Sequence, residues 1–295
     1  GSHFEDLNLN NNVKPKYGKH EKENKTILVD DMTVTDNNGE FLHYVPLGEY
    51  DNTVLKVYLK RPLPPNGKLL FMVKFKTYFG SGGNLRRRMK LFYHDGYKHY
   101  DGVHWYPRIA VYDRKFGWET DQHLTREFYG DYGAFDVEIT LPNNYIMDAT
   151  GVMTNEQEML PAELRQKLDI SNFAKKPWES APSQIIIKDG SVKTWKFHAE
   201  NVHDFAWTAD PTYRIGEVSW NGIRCIALCA EQHCSGWQDA AGSRARHDAH
   251  RRGGLASIRG GRARGPGHDK SLFAGRCRRA GARRRGVRDV LRAVP

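Results

Sequence analysis

The stretch that decides the fold is residues 105–145, which read WYPRIAVYDRKFGWETDQHLTREFYGDYGAFDVEITLPNNY. Its C-terminal part, Phe135-Asp-Val-Glu-Ile-Thr-Leu-Pro142, alternates apolar and polar residues and is rich in β-branched types. This two-residue period is typical of a β-strand with one buried face, and proline is expected to end the strand. The loop before it is dense in aromatic residues, glycines and acids. We expect packing of these rings to order the loop.

Short apolar runs between Gly, Pro and Asn recur on both sides of this stretch. The candidate strands are residues 25–35, 53–59, 68–78, 90–93, 135–141, 184–188, 192–199 and 223–229. One short helix is predicted over residues 161–168, because Pro161 suits the first helical position. Evenly spaced strands without long helices predict an all-β fold, an antiparallel sandwich or saddle domain with one short helix.

The composition changes abruptly near Gly242. Residues 242–295 contain 15 Arg and 1 Lys against 3 Asp and no Glu, a net charge of +13. The whole chain carries +10, so residues 1–241 carry −3. Such a segment has too few apolar residues to offset the entropy of ordering, and we predict a disordered C-terminal tail.

Three origins of the tail stay open. Its Arg, Gly, Ala and Pro have GC-rich codons, whereas the Lys, Asn and Tyr of the body have AT-rich ones, so an out-of-frame translation is the favoured explanation. A solvated tail without function is the second. The third is a nucleic-acid-binding tail that contacts phosphates and releases them as salt rises. We regard nucleic acid as the least favoured partner.

Two separated motifs resemble one enzyme family. The first is Trp105-x-Pro107, followed by Asp113 and then by the Phe135-Asp-Val strand. The second, KTWKFHAENVHDFAWTAD over residues 193–210, contains the turn sequence Val-x-Asp-Phe-Ala. Both resemble the N-terminal β-domain of gluzincin zinc aminopeptidases, the aminopeptidase N and leukotriene hydrolase relatives, in the form seen in Bacteroidetes-type members. The resemblance covers roughly residues 40–240, and an unrelated β-sandwich with similar aromatics is the alternative.

The family resemblance implies a zinc-dependent peptidase, but the zinc motif is absent from this sequence. In His-Glu-x-x-His, two histidines on one helical face bind zinc, and the glutamate acts as general base on the metal-bound water. Of the 13 histidines only His20 precedes a Glu, and Asn24 stands where the second His is needed. We therefore expect no catalytic residue, no metal ligand and no cofactor in this chain, with zinc belonging to the parent family.

Two other groups imitate metal sites. His198-x-Glu200-x-x-His203 carries metal-ligating residue types, but Trp195, Phe197 and Ala199 alternate with polar residues, which predicts a strand with a solvated face. The second group, Cys225, Cys229, His233 and Cys234, includes thiols in a mostly apolar run. Core cysteines are the favoured interpretation there, with a metal site or a disulfide as alternatives.

The resemblance also implies a substrate contact. In this family, a polar side chain just before the Trp-x-Pro turn reaches the free α-amine of the peptide substrate. Asp101-Gly-Val-His104 precedes Trp105 here. Position points to His104, whereas chemistry favours Asp101, because an ammonium group needs an acceptor.

These observations predict four regions: a flexible lead-in (1–25), an aminopeptidase N-like β-domain (26–215), the truncated start of a catalytic domain (216–241) and the tail (242–295). The predicted function is to cap the active site of a zinc metallo-aminopeptidase that removes N-terminal residues from peptides, with this fragment itself inactive. The expected partners are a peptide substrate in the intact enzyme and the missing catalytic domain. No membrane span is predicted, because no apolar run reaches about 18 residues.

Two alternative functions differ in class. One is a non-catalytic β-sandwich module that binds through its aromatic loop, residues 117–132, and the other is nucleic-acid binding by the tail. The compartment is left open, with a periplasmic or secreted full-length precursor as one option.

Overall fold

The computed structural model describes the chain in ten stretches: residues 27–36, 38–39, 49–51, 54–79, 90–120, 130–177, 179–220, 223–236, 275–277 and 288–293. Strands dominate these stretches, and most of them pair antiparallel. The prediction of an all-β fold is therefore confirmed.

The first eight strands lie in the N-terminal half of the described chain. They are β1 (Ile27–Asp36), β2 (Glu49–Asp51), β3 (Val54–Lys56), β4 (Leu69–Thr77), β5 (Lys90–His94), β6 (Tyr97–Gly102), β7 (Tyr112–Asp113) and β8 (Gly117–Trp118). β1 pairs antiparallel with β4, with Val34 opposite Phe71 and an irregularity between Val29 and Asp31. The residues of β4 alternate between half-buried and exposed, as the sequence period predicts.

The remaining strands follow the aromatic-rich loop. They are β9 (Gly133–Pro142), β10 (Ile146–Ala149), β11 (Val152–Met153), β12 (Val192–Val202), β13 (Trp207–Asp210), β14 (Tyr213–Trp220), β15 (Ile223–Ala230), β16 (Gly275–Cys277) and β17 (Arg288–Ala293). Two sheets have four strands, in the orders β10-β13-β6-β5 and β11-β12-β9-β17, and a third has the order β14-β15-β16. β1 with β4, β2 with β3, and β7 with β8 form two-stranded sheets.

The helical elements are short. They are α1 (Glu156–Met159), α2 (Ala162–Lys167) and two 3₁₀ helices, Ile170–Phe173 and Glu231–Gly236. The predicted helix over residues 161–168 corresponds to α2, but Pro161 is its N-cap rather than its first helical residue. With ψ at 155°, Pro161 is still extended, and helical geometry begins one residue later. None of the helices in the described stretches has the length and apolarity to cross a membrane.

The predicted strand at residues 184–188 is wrong. This segment is irregular, and its backbone forms hydrogen bonds with side chains where a strand would pair with a neighbouring strand. Asn143 donates from Nδ2 to the carbonyl oxygen of Ile187 at 2.9 Å. The carboxylate of Glu231 accepts from the backbone N–H of Ser183 at 3.0 Å. The predicted strand over 53–59 is also shorter than expected, since its regular part is only Val54–Lys56.

Within the described chain, two units are distinguished, and each is assembled from separated segments. The described residues within 1–92, 99–133 and 201–208 form the first unit, and those within 93–98, 134–200 and 209–295 form the second. The core of the first unit includes Trp105, Tyr106, Val111 and Phe205. Strand β14 runs across residue 215, where the sequence predicted a domain boundary. The four predicted regions remain predictions.

The core of the second unit is built from the strands that the sequence pattern identified. It includes the inward-facing residues of β9 and β12, together with Ile146, Met147 and Leu168; the strand residues are Phe135, Val137, Ile139, Trp195, Phe197 and Ala199. The lead-in, residues 1–25, lies outside the described residues. The tail also lies outside them, except for two strands. β16 pairs antiparallel with β15, and β17 pairs parallel with β9.

Candidate functional site

The two motifs that are far apart in the sequence meet in the first unit. Trp105 is buried, and its indole Nε1–H donates to the carbonyl oxygen of Phe205 at 3.0 Å. Tyr106, the next residue, is also buried and donates from its hydroxyl to Oδ1 of Asp204 at 3.0 Å. Side chains that follow one another in the Trp-x-Pro turn therefore donate hydrogen bonds to a backbone carbonyl and to a carboxylate of the Val-x-Asp-Phe-Ala turn.

Asp204 joins several groups from the Trp-x-Pro turn. Besides Tyr106, its Oδ1 accepts from the N–H of Phe205 at 2.9 Å. His104 Nε2 lies 3.4 Å from Oδ2, and Arg108 Nη1 lies 3.8 Å from Oδ1. We call His104, Tyr106, Arg108 and Asp204 the Asp204 cluster. Burial, together with the negative charge of Asp204, raises the pKa of Tyr106 above its ordinary value.

The backbone at the cluster has little freedom. His104 has a φ of 55°, a left-handed conformation that side chains other than glycine seldom adopt. Arg108 donates from Nη2 to the carbonyl oxygen of His203. Gly130 leaves room for this guanidinium, because a Cβ at position 130 would lie 2.1 Å from Arg108 Nη2. The sequence around the turn is thus adapted to hold Asp204 and Arg108 in place.

Asp101 occupies a separate position at the end of β6. Its Oδ1 accepts from Oγ1 of Thr208 at 3.0 Å and lies 3.1 Å from Nε2 of the buried His99. Within the described stretches, no hydrogen bond to Oδ2 of Asp101 is found. Its side chain is 22% exposed, so this carboxylate is both oriented by the fold and accessible.

Trp207 packs against β6, the strand that carries Asp101, at Tyr100 and Gly102. Its ring contacts those of Phe79, Tyr100 and Trp105, with centroids 5.6, 6.5 and 6.4 Å away. A Cβ on Gly102 would lie 2.3 Å from Nε1 of Trp207. Glycine at position 102 therefore permits the indole to lie directly against the strand that carries Asp101.

The two predicted amine-binding residues thus have different surroundings. His104 is 23% exposed and faces a carboxylate, whereas Asp101 faces hydrogen-bond donors. Asp204 was not among the site residues predicted from the sequence. Its only sequence signal was its place inside the Val-x-Asp-Phe-Ala motif.

The polar groups on β12 form a surface network. His198 Nδ1 lies 2.6 Å from Oδ1 of Asp136, and its Nε2 lies 3.4 Å from Oε1 of Glu200. The hydrogen bond with Asp136 raises the pKa of His198 above its ordinary value. The strand predicted there is confirmed, and His203 lies beyond its end at Val202. Within the described stretches, no group of three His, Cys, Asp or Glu side chains is placed to hold a metal ion.

Three cysteines of the described chain, Cys225, Cys229 and Cys234, are free thiols. Cys229 and Cys234 are buried with Phe173, and Ile170 and Ile185 pack against them. The interpretation of these two as core residues is confirmed. Cys225 is only partly buried.

The second unit also contains a buried ion-pair network. The guanidinium of Arg214 is fully buried, donates from Nε to Oε2 of Glu231 at 2.8 Å and lies 4.6 Å from the ring centre of Phe173. Lys176 also pairs with Glu231. Each charge has a partner of opposite sign and further hydrogen bonds, which is the arrangement expected of a structural ion pair.

Comparison with protein-family models, with curated proteins and with solved structures gave no match for this chain. The resemblance of the two motifs therefore carries the functional argument on its own.

Proposed function

We propose that this chain is the β-domain that caps the active-site cleft of a gluzincin-type zinc aminopeptidase and that it does not hydrolyse peptides by itself. The observation that supports the proposal most directly is the contact between the two family-like motifs. Trp105 and Tyr106 bind Phe205 and Asp204 across about a hundred residues of sequence. Two motifs that resembled the family by chance would not be expected to contact each other in the fold, whereas two motifs of one inherited domain would.

The proposed role of the domain is to recognise the free amino end of a peptide. A substrate ammonium group requires acceptors, and a charged hydrogen bond is about twice as strong as a neutral one. Asp101 is the favoured acceptor, because Thr208 and His99 orient its Oδ1 and its side chain is still 22% exposed. His104 is less suited, because its Nε2 already faces the carboxylate of Asp204.

The zinc chemistry is assigned to the parent enzyme. None of the 13 histidines of this chain lies in a His-Glu-x-x-His sequence, so the general base and the paired zinc ligands of that mechanism have no counterpart here. In an intact enzyme the metal would activate the water, and this domain would only position the peptide.

Peptide binding tests the assignment of Asp101. Calorimetry on the full chain would compare a tripeptide with a free amine and its N-acetylated form at concentrations up to about 1 mM, the weak-affinity range. The free-amine peptide is expected to bind more tightly, and Asp101→Asn is expected to abolish the difference. Asp31→Asn is the matched control, because Asp31 is an exposed carboxylate of the same unit outside the aromatic loop. Equal binding of the two peptides would contradict the proposed role.

A non-catalytic binding module is the second candidate. The exposed rings of Trp118 and Tyr132, at the two ends of the predicted aromatic loop, favour it. Residues 121–129 of that loop lie outside the described residues. Saturable binding that does not depend on the peptide's amino end would favour this candidate over the first.

A further inference from the structure

An exposed aromatic surface lies on the first unit, on a hairpin formed by β7 and β8. We call residues 109–118 the aromatic hairpin. Ile109, Tyr112, Phe116 and Trp118 are 69%, 62%, 67% and 59% exposed. Large exposed apolar groups gathered on one short segment usually mark an interaction site.

The hairpin is held in a defined conformation. Oδ1 of Asp113 accepts from the backbone N–H groups of Lys115 and Phe116 at 2.8 and 2.6 Å. Gly117 has a φ of 74°, a left-handed conformation that suits glycine. The N–H of Glu119 donates to the carbonyl oxygen of the buried Val111 at 2.8 Å, which fixes the base of the hairpin. The rings are therefore exposed by a folded turn.

Cationic groups accompany the rings at the tip. Arg114 and Lys115 are both exposed, and Lys115 Nζ lies 4.5 Å from the ring centre of Phe116. Asp113, whose Oδ1 accepts from the backbone of the turn, is the one acidic residue among residues 109–118, so the aromatic hairpin carries a net charge of +1. Tyr112 and Trp118 contact each other edge to face, with ring centres 5.2 Å apart.

We propose that the aromatic hairpin inserts into the interfacial region of an anionic lipid surface. Tyrosine and tryptophan favour this region because one part of the ring is apolar and another part forms hydrogen bonds. Arginine and lysine beside them would bind the anionic headgroups. This proposal is independent of the proposed aminopeptidase function, because it rests on the hairpin alone.

The size of the surface favours a membrane over a protein partner. Aromatic side chains bury roughly 150–250 Å² each, so three rings exposed by about 60% offer roughly 350 Å². A specific protein interface buries about 800 Å² on each partner. Reversible interfacial binding needs only a few inserted side chains together with electrostatic attraction.

The experiment must separate the hairpin from the Arg-rich tail, whose charge of +13 would itself attract anionic vesicles. The tail contains no Trp, so the depth of Trp side chains is the discriminating readout. The full chain would be mixed with vesicles of phosphatidylcholine alone and with vesicles in which roughly one lipid in three is phosphatidylglycerol. Brominated acyl chains in these vesicles would quench any Trp that inserts.

The anionic vesicles are expected to bind the chain and to quench its Trp fluorescence. The substitution Trp118→Phe keeps an aromatic ring at that position and is expected to remove most of this quenching. Phe116→Ser should lower vesicle partitioning by about tenfold, the effect expected for removing one inserted ring. Leu70→Ser and Met72→Ser are the controls, because both side chains are exposed on β4 of the same unit, outside the hairpin.

Three results would overturn the proposal. Binding without quenching would assign the interaction to the charge of the tail. Unchanged quenching in Trp118→Phe would place another Trp in the membrane. Failure to bind either kind of vesicle at physiological salt would leave a protein partner as the explanation of the exposed rings.

Discussion

Replacing Asp204 by alanine tests whether the two motifs are held together as described. The substitution removes the carboxylate oxygen that accepts from the hydroxyl of the buried Tyr106 and from the N–H of Phe205. An unsatisfied buried polar group costs about 1–3 kcal/mol. Asp204 is itself partly accessible, so water can replace some of the lost bonds. We expect the free energy of unfolding to fall by about 3 kcal/mol.

The assay is urea denaturation followed by tryptophan fluorescence, because Trp105 lies beside the cluster. Tyr106→Phe alone should cost about 1 kcal/mol, the net value of one hydrogen bond. In the Asp204→Ala background, Tyr106→Phe should cost clearly less, because the carboxylate that accepts from this hydroxyl is already absent. Asp131→Ala, at an exposed carboxylate, is the control.

Additive effects of the two substitutions would refute this reasoning. So would an Asp204→Ala protein whose stability lies within about 0.5 kcal/mol of the parent, the range of ordinary surface substitutions. A changed denaturant slope would indicate that the substitution altered the denatured state or the cooperativity of unfolding instead.

Four further predictions follow from the same contacts. Glu231→Gln should lower the free energy of unfolding by about 3–5 kcal/mol at neutral pH in urea denaturation, because it leaves the buried Arg214 unpaired; a smaller loss would show that the pair is not buried as described. Gly102→Ala should cost about 1–3 kcal/mol by the same assay, because its Cβ would collide with Trp207. Gly216→Ala is its control, because the new Cβ would come no nearer than 3.3 Å to a neighbouring side chain. His198→Gln should remove a small pH-dependent contribution, below about 1 kcal/mol, that stability curves against pH would detect. Elemental analysis after desalting should find no stoichiometric zinc, and a peptidase assay should find no turnover. Stoichiometric zinc or measurable peptide hydrolysis would contradict the assignment of this chemistry to the parent enzyme.

The pKa shifts of His198 and Glu231 determine how the contribution of each residue to stability changes with pH. The raised pKa of His198 means that its stabilising contribution is present below the unfolded-state pKa and is lost as pH rises through the folded-state value. Burial by itself would raise the pKa of Glu231, but hydrogen bonds from Lys176 and Ser183 and the charge of Arg214 lower it. Its contribution is therefore present above the unfolded-state pKa and is lost as pH falls through the folded-state value.

The regular strands could be predicted because their burial follows a period of two. β4, β9 and β12 each place apolar residues at every second position, and each forms within about three residues of its predicted bounds. β13 shows no such period, since all four of its residues are buried. β14 was missed for a related reason: Arg214 interrupts its apolar pattern, yet the side chain is buried against Glu231.

Long-range side-chain contacts explain the other differences. Nothing within residues 184–188 signals that Asn143 and Glu231 will hold the neighbouring backbone. In the candidate site, the positions of Asp101 and His104 came from the family resemblance alone. Their partners Thr208 and Asp204 lie about a hundred residues away, so they became visible only when the chain was folded.

The most direct test of the central claim is to read the encoding DNA from the codon of Ile215 onward in all three frames. If the chain is the capping domain of a zinc aminopeptidase, another frame is expected to continue the domain and to encode His-Glu-x-x-His with a second Glu further along. If no frame encodes that motif and the Arg-rich frame is the one translated, the claim is contradicted and the binding module becomes the better account.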